Sequence, residues 1–196
     1  MAVAGRQISK LDLNLQEGRA VNAVAELLRK RLHVPNIYLD PPSSIIAADV
    51  LAVDRGGAGD LHAVEIKLEA DFELKPARKP ANVKELNQRK DTWQQNLQKK
   101  VKQIHGQLMS LPTHYRYLAV PSESKEILLG ELAPLGLFSP DGIGRIGLIG
   151  ITNRGEEAPI AELVIAPERF RVNSTKLGMI EGRLLNKVRP DIEVRI

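Results

Sequence analysis

Two apolar runs of strand length face each other across a glycine-rich turn, and charge interrupts both. Residues 47–54 read Ala-Ala-Asp-Val-Leu-Ala-Val-Asp, Gly56, Gly57 and Gly59 supply the turn, and residues 61–68 run back as Leu-His-Ala-Val-Glu-Ile-Lys-Leu. Side chains alternate across a strand. Asp49 therefore shares a face with Leu51 and Val53, while Glu65 and Lys67 share a face opposite Val64, Ile66 and Leu68. Carboxylates and lysines are rarely buried unless they are paired or bound to a cation. A hairpin with an acid on one strand and an acid and an amine on the next is expected to fold around polar chemistry.

Asp49 and Glu65 suit a hard divalent cation. Mg²⁺ takes oxygen ligands in near-octahedral geometry, with one or two carboxylates completed by waters and substrate phosphates. Lys67, two residues beyond Glu65, is placed to orient a water for attack on a phosphodiester. The plainer alternative is a surface hairpin in which Glu65 and Lys67 form an ordinary ion pair.

Asp49 followed across a hairpin by Glu65-Ile66-Lys67 resembles the signature of the PD-(D/E)XK nuclease superfamily, the fold of many restriction endonucleases and repair nucleases. The resemblance implies an α/β domain with an αβββαβ core, a mixed central sheet flanked by helices. It implies Mg²⁺ (Mn²⁺ substituting) on Asp49 and Glu65, and Lys67 assisting the nucleophilic water; the Ile66 carbonyl is expected to add a ligand. Ala48 stands where the signature has Pro, a residue the chemistry does not require. Many members carry a further acid on the first helix, a part for which Glu17 is the candidate. A helix after the E-x-K strand often supplies a Gln or Lys, here Gln107 or Lys100.

The order of elements fits that expectation. Leu13, Val21, Val24, Leu28 and Leu32 recur at helical spacing, with Glu17 in line with the stripe and Glu26 on the polar side. His33-Val34-Pro35 ends this helix, residues 36–39 form a short strand, and the Asp49 strand starts at Ile45 after a proline loop. A long helix over 82–110 buries Leu97, Val101, Ile104, Leu108 and Leu111, and residues 115–120 form a strand closed by Pro121. The expected core thus covers about 13–121 of a single domain spanning 1–196. The C-terminal third adds a short helix near 124–130, strands over 145–152 and 161–166, and a final helix from a Ser174 cap.

Charge and composition narrow the partners. Residues 75–102 hold nine basic side chains against Glu85 and Asp91, whereas the whole chain carries only +4. Arg78, Lys79, Lys84, Arg89, Lys90, Lys99 and Lys100 are accordingly the candidate contacts to a nucleic-acid backbone. The absence of cysteine excludes disulfides, thiolate metal sites and cysteine nucleophiles. Four scattered histidines argue against zinc. No apolar run is long enough to span a bilayer and the N-terminus lacks signal character, so a cytoplasmic protein is expected. The functional expectation is a Mg²⁺-dependent endonuclease acting on DNA, a homodimer being attractive because two sites cut two strands. Its rival is a non-catalytic nucleic-acid-binding or assembly subunit on the same fold.

Overall fold

Strands that bury both faces read as nearly continuous apolar runs, and four of the six strands here do so. The structure, a computed structural model, describes residues 10–41, 43–54, 59–68, 83–132, 145–153 and 157–187. In chain order the elements are α1 (Lys10–Arg31), β1 (Asn36–Leu39), β2 (Val50–Val53), β3 (Leu61–Ile66), α2 (Val83–Ser110), β4 (Tyr115–Pro121), α3 (Ser122–Leu132), β5 (Gly147–Thr152), β6 (Ile160–Ile165) and α4 (Ser174–Lys187). The strands lie side by side in chain order in one mixed sheet. β1, β2 and β3 pair antiparallel, β4 is parallel to β3 and to β5, and β6 returns antiparallel to β5. Parallel neighbours need a crossover, and α2 and α3 supply the two crossovers. The result is a mixed α/β fold, an open six-stranded sheet flanked by helices.

Each face of the sheet has its own core. Ala20, Val21, Val24 and Leu28 of α1 pack with Val50, Ala52, Val64, Ile66, Tyr117, Ala119 and Ile149. On the other face Leu97, Val101, Ile104 and Leu108 of α2, with Ile180 and Leu184 of α4, cover Leu51, Leu61, Ala63, Leu118, Val120 and Leu148. The 3.6-residue period of the helices and the two-residue period of the strands thus meet on both sides. Among the described residues no helix is long and apolar enough to cross a membrane.

The ends of the elements show where local rules yield to tertiary burial. His33 adopts a left-handed backbone (φ 56°) and turns the chain out of α1, so that the Val34 N–H donates to the Leu28 carbonyl at 3.1 Å. The strand expected from Ile45 is only four residues long and starts at Val50. Asp40, also left-handed (φ 43°), ends β1, and its N–H donates to the Asp49 carbonyl at 2.9 Å. The chain between them bulges into a loop, and Ile45 and Ile46 are apolar because this loop buries them in the α2-side core. At α4 the cap is Asn173 rather than Ser174, since Asn173 Oδ1 accepts the Thr175 N–H at 2.9 Å.

His62 lies within the α1 face, 7% exposed, stacked on Tyr115 with centroids 4.6 Å apart and its Nδ1 3.0 Å from the Tyr117 hydroxyl. Burial pulls its pKa down to about 4, against the opposing pull of Asp60 and Asp54. The folded state therefore binds fewer protons than the unfolded chain between the ordinary histidine value and pH 4. This contribution is fully present above about pH 6.5 and lost as pH falls through that window, amounting to about 3 kcal/mol at most. His62→Gln is predicted to gain stability relative to the parent as pH falls from 6.5 to 4, read from urea unfolding at each pH.

Two glycines test the packing. A Cβ on Gly147 would lie 2.6 Å from the Tyr117 ring, whereas one on Gly106 meets nothing within 4 Å. Gly147→Ala is predicted to cost about 1–3 kcal/mol through overpacking, and Gly106→Ala in α2 to gain about 0.5–1 kcal/mol. Urea midpoints measure both.

Candidate functional site

The carboxyl ends of parallel strands are where open α/β sheets leave a crevice for ligands. β3 ends there with Glu65 and Ile66, and Lys67 follows, its N–H still donating to the Ala119 carbonyl of β4 at 2.9 Å. Asp49 precedes β2 and is fixed by its backbone: its N–H donates to the Val64 carbonyl at 3.1 Å, and its carbonyl accepts the Asp40 N–H. Its side chain turns to the same strand end, where Oδ2 accepts the Ile66 N–H at 2.6 Å.

Asp49 and Glu65 line one cleft of about 390 Å³ together with Asp40, Ser43, Ala48, Gln107 and Ser110. Lys67 Nζ lies 2.7 Å from Glu65 Oε1, and the two side chains are only 21% and 16% exposed. Burial raises the Asp49 pKa to about 6; the Ile66 N–H and Lys67 oppose the rise, and the charges of Glu65 and Glu17 add to it. Asp49, Glu65 and Lys67 thus meet at one place and feel one another's charge.

The other expected residues divide. Gln107 lies on the cleft wall although its side chain is largely exposed. Glu17 is exposed rather than turned inward, since among the described side chains of α1 burial begins only at Ala20; its charge nevertheless reaches Asp49. The Ile66 side chain is buried among the α1-face residues, leaving its carbonyl as the part that could ligate. Lys99 is exposed and Lys100 half-buried on α2, and Lys84, Arg89 and Lys90 belong to the first half of that helix. Arg78 and Lys79 lie outside the described residues. Asp40, Ser43 and Ser110 were not singled out by sequence; they sit at loop and helix ends, where no periodicity marks them, although an Asp before two prolines is a turn signal.

The residues present fit a divalent cation. Among the described residues no group of three or more His, Asp or Glu side chains is arranged as a metal cage. Mg²⁺ needs fewer, since one or two carboxylates with waters and substrate oxygens complete its shell. A desolvated carboxylate coupled to a second acid, with a single lysine opposing them, supplies that charge.

Keeping Asp49 ionised in this setting lowers the stability of the metal-free fold, because its carboxyl holds a proton more tightly folded than unfolded. The stability it lends in acid is lost as pH rises through about 6. Asp49→Asn, whose amide oxygen can keep the Ile66 bond, is predicted to melt higher than the parent in chelator at pH 7. The difference should shrink toward pH 4, as read by thermal melts across that range.

No family model matches the chain, and no curated protein matches it. Among solved structures the chain is similar to the SPO1766 protein of unknown function from Silicibacter pomeroyi, at 16% sequence identity and a TM-score of 0.43, over 87% of this chain and 91% of that one.

Proposed function

We propose that the protein is a Mg²⁺-dependent nuclease hydrolysing DNA phosphodiester bonds on a restriction-endonuclease-like core. The observation that carries this reading is the meeting of Asp49 and Glu65 in one cleft at the carboxyl end of β3, with Lys67 paired to Glu65 and acting by charge on Asp49. The succession α1-β1-β2-β3-α2-β4 supports it, since it has the αβββαβ order that the sequence signature implies.

Asp49 and Glu65 would hold the cation, with the Ile66 carbonyl as a further oxygen. Mg²⁺, when bound, supplies charge stabilisation at the phosphate and eases deprotonation of a water. Lys67, in contact with Glu65, orients the attacking water and balances the charge that the two acids concentrate. Lys99 and Lys100, with the basic residues before them in sequence, follow the phosphate backbone and add affinity without reading bases.

Plasmid nicking in Mg²⁺ tests the proposal. Asp49→Ala and Lys67→Ala are each predicted to lose about 10²–10⁴-fold in rate; Glu17→Ala, exposed and more distant in effect, should lose less. Two variants that cut as fast as the parent would refute the mechanism. Salt-sensitive DNA binding without cleavage under any divalent ion would assign the protein to the non-catalytic class instead.

A further inference from the structure

The C-terminal segment is tied to the amino end of β3 and to the loop that precedes Asp49. Residues 166–173 pass the amino ends of β3 and β4, where the Arg169 guanidinium donates twice to the Asp60 carboxylate, at 3.0 and 2.7 Å. The Phe170 N–H donates to the His114 carbonyl at 2.8 Å, and Arg116 stacks 3.9 Å above the Phe170 ring. α4 then leaves this end with Ile180 and Leu184 buried in the same core as Ile45 and Ile46. Ser174 and Arg183 are separated by roughly 14 Å at helical rise, which carries α4 toward the cleft. There Arg183 Nη1 donates to the Ser44 carbonyl at 2.7 Å.

Ser44 lies in the loop between Asp40 and Asp49, next to Ser43, which lines the cleft. Residues 43–48 lead into Asp49, and among the described residues this stretch is held by the Asp40–Asp49 backbone bond, the burial of Ile45 and Ile46, and the bond from Arg183. We infer that Arg183 is a positioning residue for Asp49, with α4 clamping the cleft wall so that the two acids keep one cation geometry. The inference rests on the cation site proposed above. It gives the C-terminal third a task in the site, although α4 contributes no cleft-lining side chain among the described residues.

The test compares the full-length parent with Arg183→Ala and Arg183→Lys, using Mn²⁺ alone as probe and amide exchange over residues 43–49 as a second readout. Arg183→Ala should weaken Mn²⁺ binding about tenfold, the lower end of what losing an outer support costs a metal site. Exchange over 43–49 should accelerate, and Arg183→Lys, which keeps one donor in reach, should recover part of both. A purely structural role would lower the melting temperature and leave Mn²⁺ affinity alone. Affinity within twofold of the parent with unchanged exchange overturns the inference, and Arg183→Lys carries the comparison should Arg183→Ala fail to fold. A parent that binds no Mn²⁺ overturns the cation site itself, while the exchange data still decide whether Arg183 holds the loop.

Discussion

The bond from the Ile66 N–H to Asp49 Oδ2 joins the two halves of the site. It turns the carboxylate of a loop residue toward the end of the neighbouring strand, beside Glu65 and Lys67. The backbone makes this possible, because Asp49 is held on one side by Asp40 and on the other by Val64. A carboxylate this desolvated, facing a second acid, is an unfavourable thing to fold around. Strain of this kind persists where the surrounding structure over-determines it.

That surrounding structure is the pair of cores. Because β2, β3, β4 and β5 bury apolar side chains on both faces, the sheet is held by those side chains rather than by the charged residues of the β2–β3 hairpin. The acids of this hairpin instead collect at its strand ends. Asp60 with Arg169 occupies the amino end of β3, and Asp49, Glu65 and Lys67 occupy its carboxyl end. Their settings differ: the Arg169 hydrogen bond holds the Asp60 pKa below its ordinary value, whereas desolvation drives Asp49 upward. One acid is held in an ion pair and the other stays desolvated.

Much of this was legible in the sequence, for physical reasons that also explain the exceptions. The stripe of Val21, Val24 and Leu28, and that of Leu97, Val101, Ile104 and Leu108, repeat at a period only a helix satisfies, and both helices are present. The alternation of Glu65 and Lys67 against Val64 and Ile66 identified the face they share, since a strand leaves no other choice. Ile45 and Ile46 misled, because apolar residues buried in a loop have the same composition as a strand continued backward. Glu17 misled in the opposite direction: helical spacing gives its angle about α1 but not its depth against the sheet, and its side chain is exposed. The bonds of Arg169 to Asp60 and of Arg183 to Ser44 join residues 109 and 139 positions apart, which no local pattern encodes.

Whether Asp49 and Glu65 grip one divalent cation is decided by a crystal soaked in Mn²⁺ and phased on the metal. A single strong anomalous peak is expected in the cleft, with oxygens of both carboxylates about 2.0–2.3 Å away. A soaked crystal with no peak in the cleft, or a metal bound elsewhere while Glu65 stays paired with Lys67, would contradict it.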